Sequence, residues 1–224
     1  MADLPGQITN PYHPPAPGSD DPHQGVDLGY FLPGSRVAVS GLTVQAALSG
    51  RVAAVLQNRF PYGYAVLVET PLEALPAGLA ESAVPTPAPT LVLHTPLTCP
   101  DAPPLTITDT EERSLYVLYA HLKEPPIVGI EDTIACGQAI GVIGDSGNAL
   151  NPHLHFEARV APAGLRPGSM AHYDASATAE EMNRYCLWRI SGFFQLVDPM
   201  LILKGLSQKY IETAPSDFKG DVIQ

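Results

Sequence analysis

The stretch PHLHFEARV at residues 152–160 decides the fold class. Successive side chains of a β-strand point to opposite faces, so His153, His155 and Glu157 share one face of this segment. The leucine and phenylalanine between them point to the other face, where they can join an apolar core. This alternation predicts a strand with one buried face and one face free to carry polar chemistry.

Segments on both sides of this stretch have the same character. They are short, rich in β-branched or aromatic residues, and bounded by Gly, Pro, Asn or Asp, as strands and hairpins are. They read VAVS, LTVQAAL, GRVAAVLQN, GYAVLVET, SLYVLYAHL and AIGVIGDSG. The 24 prolines and 19 glycines leave little room for long helices. We predict a mainly β single domain built on an antiparallel sheet, with loop insertions and one short helix.

Two insertions interrupt the strand pattern. Residues 70–113 contain nine prolines and little periodicity except TLVLHT, which predicts one hairpin there. Residues 161–192 begin as a loop and continue as TAEEMNRYCLW, the best helix candidate in the chain. Its start is predicted at Thr178, because Thr178 and Glu181 have the spacing of a capping box.

These insertions lie within a predicted domain that spans residues 23–204. Residues 1–22 are rich in proline and predict an extended lead-in, with one short strand around Gln7 to Asn10. FFQLVDPMLIL, near the end of the domain, is interpreted as one more buried strand. Residues 205–224 are predicted to be a frayed polar tail.

The charge balance limits the classes of partner. Twelve basic and 23 acidic residues give a formal net charge of -11, which opposes binding to nucleic acid and to anionic lipid. The same charge would also repel an anionic cell wall. No apolar stretch is long enough to predict a membrane segment, and no signal peptide is visible. Compartment and oligomeric state stay open.

The three cysteines are Cys99, Cys136 and Cys186. Their odd number and the absence of a C-x-x-C spacing predict neither a disulfide framework nor a thiolate zinc site. We expect three small buried hydrophobic residues.

Two further motifs place histidines beside the predicted strands. In HQGVD at residues 23–27, imidazole and carboxylate are suitable zinc ligands, but a straight strand would separate them by about 13 Å. A bend at Gly25 is therefore predicted, and taken alone the motif is more typical of an ordinary polar loop than of a metal site. His121 ends the predicted strand LYVLYAH, where a lone histidine is usually structural. The pair His153 and His155 fits two metal ligands, one ligand and one acid-base group, or ordinary solvated residues.

Taken together and in this order, the motifs resemble those of the lysostaphin-type zinc endopeptidases. The pattern of that family is H-x-G-x-D, Y-x-H-L, a Gly-Gln-x-Ile-Gly hairpin and P-H-L-H-F-E. In this chain the corresponding motifs are HQGVD, YAHL, GQAIGVIGDSG and PHLHFE. The resemblance covers a little under half of the chain. The resemblance implies an open, barrel-like β-sandwich core, the duplicated hybrid motif, and hydrolysis of peptide crosslinks, above all in bacterial peptidoglycan.

The resemblance also implies the roles of individual residues. One zinc ion would be held by His23, Asp27 and His155, which leaves a fourth position for water or substrate, as in catalytic zinc sites. His121 and His153 would be the catalytic histidines that do not bind the metal. One would move the proton of the attacking water, and the other would stabilise the oxyanion or protonate the leaving amine.

Some features of the chain leave alternatives open. Glu157 would either orient His155 or be a plain solvated glutamate. Tyr64 and Asn151 depart from the family pattern, and the Gly-x-Arg expected before HQGVD is missing, so the substrate specificity does not carry over. A catalytically silent binding or regulatory module on the same fold is the alternative function. A lipoyl or biotinyl carrier is disfavoured, because the hairpin tip Gly144–Asn148 has no lysine.

Overall fold

The computed structural model describes residues 6–16, 18–76, 78–86, 97–100 and 111–213. The hairpin predicted at TLVLHT lies outside these residues. The strands are β1 (Gly6–Asn10), β2 (Val26–Tyr30), β3 (Thr43–Gln45), β4 (Gly50–Arg59), β5 (Gly63–Pro71), β6 (Arg113–Leu122), β7 (Thr133–Ile134), β8 (Ala139–Val142), β9 (Leu154–Pro162) and β10 (Gln195–Val197). The helices are α1 (Leu79–Ser82), α2 (Ala179–Arg189) and α3 (Pro199–Thr213), with a 3-10 turn at Leu72–Ala74. None of these helices is long and apolar enough to cross a membrane.

The strands form one large antiparallel sheet and one small one. The large sheet has the order β1-β2-β9-β6-β5-β4-β7, and β10 pairs with β9 beyond the end of β2. The small sheet consists of β3 and β8. The prediction of a mainly β, antiparallel domain is therefore confirmed. The lead-in contributes its predicted strand as β1, which pairs with β2.

The centre of the large sheet is buried on both faces. Alternate residues of β6 enter two apolar clusters, one with Leu115, Val117 and Tyr119 and the other with Tyr116, Leu118 and Ala120. The small sheet and α3 pack on the first cluster, and α2 packs on the second. Each large apolar side chain buried here contributes about 1.5–3 kcal/mol to the stability of the fold. This burial holds β6 and β9 in place, and the two strands in turn support the residues at their ends.

The second insertion supplies the helix that covers one face of the sheet. The predicted capping box is confirmed, because Thr178 Oγ1 accepts from the amide of Glu181 and Glu181 Oε2 accepts from the amide of Thr178. Arg59 of β4 pairs with the Glu181 carboxylate and ties this helix start to the sheet. At the other end of α2, Trp188 is fully buried, with the Arg159 guanidinium 4.8 Å from its ring centroid.

The prediction of one strand for FFQLVDPMLIL is wrong. β10 ends at Val197, and α3 begins at Pro199. Asp198 Oδ1 accepts a hydrogen bond from the amide of Met200, and proline is favourable at a first helical position, so the Asp-Pro pair starts a helix. α3 continues to Thr213, so the first part of the predicted frayed tail is helical; the remainder lies outside the described residues.

The prediction that all three cysteines are small buried hydrophobic residues is also wrong. Cys99 and Cys186 form a disulfide across 87 residues of sequence, and Cys136 is an exposed free thiol. This disulfide ties the first insertion to α2. The carbonyl of Thr98 strengthens the same attachment by accepting a hydrogen bond from His172 Nε2 at 2.9 Å.

Replacing Cys99 and Cys186 together by alanine should lower the free energy of unfolding by about 2–4 kcal/mol, because the unfolded chain gains freedom. The measurement is urea unfolding under oxidising conditions. The matched control is Cys136→Ala, which should change the free energy of unfolding by less than about 0.5 kcal/mol. An unchanged unfolding midpoint in the double variant would contradict the crosslink.

Candidate metal centre

The pairing of β9 with its neighbours brings the predicted site residues together. Asp27 of β2 lies directly opposite His155 of β9, and Ala120 of β6 lies opposite the same histidine on the other side. His121, the next-to-last residue of β6, therefore lies beside His155. His23 precedes β2 in a bent, non-helical segment, in agreement with the bend predicted around Gly25.

Three side-chain atoms meet at this point. Asp27 Oδ1 lies 3.1 Å from His23 Nε2 and 2.9 Å from His155 Nδ1, and the two nitrogens are 3.0 Å apart. Tetrahedral ligands at zinc distances are separated by about 3.3 Å, so the three atoms need to move by only a few tenths of an ångström. In size, this triangle fits a metal ion.

The hydrogen bonds behind the two imidazoles determine which of their atoms can bind a metal. His23 Nδ1 lies 3.1 Å from the carbonyl oxygen of Pro11, which can only accept, so a neutral His23 carries its lone pair on Nε2. His155 Nε2 lies 3.2 Å from Glu157 Oε2, which leaves Nδ1 for the lone pair. Two nitrogen lone pairs and one carboxylate oxygen thus converge, and a cation satisfies all three.

The charges of the site also favour a cation. Burial opposes charge on Asp27, but the adjacent His155 and His23, which can donate to it when these nitrogens are protonated, hold the pKa of its carboxyl below the usual range. Burial also opposes charge on His155, yet Asp27 and Glu157 raise the pKa of its imidazole. Positive charge is thus favourable between Asp27 and His155, and a metal ion would take the place of a proton there.

Two more imidazoles lie beside this triangle. His121 Nδ1 donates to the carbonyl of Ser146 at 2.8 Å, and His153 Nδ1 donates to the carbonyl of Asn151 at 2.7 Å. The two ring centroids are 4.8 Å apart. Burial, reinforced by the neighbouring His155 and His153, lowers the pKa of His121 to about 3, so His121 is neutral at pH 7 and can accept a proton at Nε2.

His121 also has an unusual backbone. Its φ of 61° lies in the left-handed region, which a non-glycine residue rarely adopts. Its amide donates to the carbonyl of Tyr62, and its carbonyl accepts from the amide of Gly144. Strained residues of this kind are concentrated at functional sites, where the surrounding structure holds them in place.

Glu157 is buried, so the solvated alternative for this residue does not apply. Its carboxylate accepts hydrogen bonds from Tyr62 Oη at 3.1 Å and from Arg159 Nε at 2.7 Å, in addition to its contact with His155. Burial alone would raise the pKa of Glu157, but Arg159 and Arg189 hold it below the usual range. Glu157 therefore remains a carboxylate, and its Oε2 lies within hydrogen-bond distance of His155 Nε2.

An open cleft of about 820 Å³ contains all five predicted residues. Its lining also includes residues for which the sequence predicted no role, among them Asp20, Tyr173, Tyr185 and Arg189. Asp20 accepts hydrogen bonds from both tyrosines and pairs with Arg189. No local sequence pattern indicates these contacts, because they join the lead-in to the second insertion across more than 150 residues.

A comparison with protein families identifies part of the chain. Residues 104–167 match the model of peptidase family M23. This segment spans 64 of the 224 residues of the chain. It includes YAHL, the GQAIG hairpin and PHLHFE, and the match confirms the resemblance to the lysostaphin-type endopeptidases. His23 and Asp27 precede the M23 segment, so their inclusion in the site depends on the geometry above.

Solved structures of M23-type proteins are similar to the chain. The catalytic domain of the prophage-encoded M23 protein EnpA from Enterococcus faecalis is 18% identical, with 74% of this chain and 88% of that one covered and a TM-score of 0.41. The catalytic domain of the antimicrobial peptidase lysostaphin from Staphylococcus simulans is 20% identical, with coverages of 70% and 81% and a TM-score of 0.39. A zinc-containing peptidase from Vibrio cholerae is 20% identical, with coverages of 71% and 35% and a TM-score of 0.40. No curated protein matches the chain significantly.

Gly25 tests the packing of the site independently of any metal. A Cβ atom at Gly25 would lie 2.5 Å from His155 Cε1 and 2.9 Å from the carbonyl oxygen of Phe156, which is buried backbone in β9. We expect Gly25→Ala to destabilise the protein by about 1–3 kcal/mol, measured by thermal unfolding in the presence of a chelator. In the control Gly129→Ala the nearest atom is 3.7 Å away, so its effect should stay below about 0.5 kcal/mol. Equal stability of the two variants would contradict this close approach.

Proposed function

We propose that the chain is a zinc-dependent endopeptidase that hydrolyses peptide crosslinks, with bacterial peptidoglycan as its substrate. The observation that carries this proposal is the convergence of His23 Nε2, Asp27 Oδ1 and His155 Nδ1 in an open cleft, with two further imidazoles beside them. The M23 match supports a peptidase.

The donor set fits zinc better than the other common divalent ions. Two imidazoles and one carboxylate are suitable zinc ligands, whereas calcium and magnesium prefer oxygen ligands throughout. Three protein ligands leave one coordination position open to the cleft. When bound there, zinc supplies Lewis-acid chemistry, which activates water and polarises a carbonyl group.

His121 and His153 carry the proton transfers in this proposal. Each ring is held by a hydrogen bond from Nδ1 to a backbone carbonyl, so each presents its Nε2 lone pair when neutral. Hydrolysis of an amide needs a base that removes a proton from water and an acid that protonates the leaving amine. A ring that takes a proton at Nε2 becomes such an acid, and with ring centroids 4.8 Å apart the pair of histidines can carry both transfers.

The cleft suits an extended peptide. Its volume of about 820 Å³ is within the usual range for ligand-binding sites, and the cleft is open to solvent. A net charge of -11 opposes nucleic acid as a partner. A cell-wall substrate would place the enzyme outside the cytoplasm.

The alternative is a catalytically silent binding or regulatory module on the same fold. Such a module could retain the cleft without the proton-transfer groups. The presence of all five histidine and aspartate residues, together in one cleft, favours the enzyme. Turnover of a crosslinked substrate distinguishes the two.

His155→Ala should abolish binding of zinc, whereas His121→Ala should keep one zinc ion per chain and lower turnover by about 10²–10⁴-fold, because it removes only a proton-transfer group. Zinc content is measured by elemental mass spectrometry, and turnover by mass spectrometry of the products released from purified peptidoglycan.

The matched control is His13→Ala, which removes an exposed histidine from the segment before β2 and should change neither quantity. Wild-type turnover in His121→Ala would refute the assigned role of that histidine. Bound zinc without turnover in the wild-type protein, across peptidoglycans of different crosslink chemistry, would favour the silent module.

A further inference from the structure

Arg189, the last residue of α2, reaches the metal centre from the second insertion. Its Nη1 lies 3.3 Å from Glu157 Oε2, the same oxygen that lies 3.2 Å from His155 Nε2. We infer that Arg189 is a positioning residue that holds the two histidine ligands in place for the metal. This inference rests on the proposed metal site and assigns a role to an insertion that the family motifs do not include.

The first connection is through Glu157. Both oxygens of this buried carboxylate are held, Oε1 by Arg159 and Oε2 by Tyr62 Oη and Arg189. Loss of Arg189 would remove the cationic partner from the oxygen that faces His155. A buried carboxylate that loses a charged partner reorients or admits water, and the ring it supports then loses its fixed direction.

The second connection is through Asp20, which lies three residues before His23. Arg189 Nε pairs with Asp20 Oδ1, and Arg189 Nη2 donates to the backbone carbonyl of Asp20 at 2.9 Å. The same side chain therefore holds the segment that carries His23 and the carboxylate that orients His155. These two segments are far apart in sequence, and the planar guanidinium can join them because its several donors are held in fixed directions, unlike those of a lysine.

Contacts of α2 with the rest of the protein fix the position of Arg189. Cys186, one helical turn earlier, forms the disulfide with Cys99, and Trp188 is fully buried against the sheet. Tyr185 Oη donates to Asp20 Oδ2 at 2.8 Å, so the helix also binds Asp20 independently of Arg189. The guanidinium is thus preorganised between its two partners, as a residue that supports metal ligands needs to be.

A purely structural role for Arg189 makes a different prediction. A residue that only neutralises buried carboxylates would affect unfolding but leave the metal affinity of the folded protein unchanged. The zinc dissociation constant therefore distinguishes the two roles, and it does not depend on activity. It is measured by competition with a chromophoric chelator on protein whose folding is verified by circular dichroism.

Arg189→Met should weaken zinc binding by about 10–100-fold, the loss typical for residues that support a metal ligand. Arg189→Lys keeps the positive charge but not the planar set of donors, and it should show an intermediate loss of zinc affinity. The matched control is Arg184→Met in the same helix, where the side chain pairs with Glu180 at the surface, and its zinc affinity should equal that of the wild type.

A double-variant comparison tests the route of the effect. Because Arg189 acts partly through Glu157, Arg189→Met should cost less affinity in a Glu157→Gln background than in the wild type. Wild-type zinc affinity in folded Arg189→Met overturns the inference, as does full additivity of the two changes. If Arg189→Met does not fold, wild-type affinity in Arg189→Lys overturns it instead. Failure of the wild-type protein to bind zinc would refute the proposed metal site itself, which is a separate result.

Discussion

The antiparallel pairing of β2 with β9 places Asp27 directly opposite His155, and the rest of the site depends on this register. A shift of one residue would place Asp27 and His155 on opposite faces of the sheet, since strand side chains alternate. His23 joins the pair because the chain bends just before β2, where a side chain at Gly25 would collide with the His155 ring. The ends of β6 and β9 then bring His121 and His153 to the same side. The cleft is thus a consequence of strand order and register, supported by a sheet that is buried on both faces.

Charge determines what such an arrangement can hold. Two carboxylates lie on opposite sides of the His155 ring, Asp27 as the inner one and Glu157 as the outer one. Arginine side chains compensate the negative charge of Glu157 only. The inner carboxylate faces two imidazole nitrogens whose opposite ring atoms are already engaged in hydrogen bonds. A buried carboxylate without a cationic partner is costly, so the inner position attracts either a proton or a metal ion. Arg189 connects this charge pattern to the second insertion, which also covers one face of the sheet.

The sequence predicted the features that arise from local patterns. Alternation along HLHFE predicted β9 and the side on which its histidines lie, and the spacing of Thr178 and Glu181 predicted the start of α2. The Cys99–Cys186 disulfide and the contacts of Arg189 join distant segments, and no local pattern indicates such pairings. The break between β10 and α3 had a local signal in Asp198–Pro199, but the apolar run around it fits a buried strand equally well. Local periodicity thus predicted the strands, whereas the disulfide and the contacts of Arg189, which hold the site in place, depend on tertiary structure.

Anomalous scattering at the zinc absorption edge, from crystals of the zinc-loaded protein, shows whether one dication binds between these two distant segments of the chain. We expect a single strong peak within about 2.0–2.2 Å of His23 Nε2, Asp27 Oδ1 and His155 Nδ1, with His121 and His153 outside the coordination shell. A peak bound instead by His121 and His153, or no peak between the three predicted atoms, would refute this metal site.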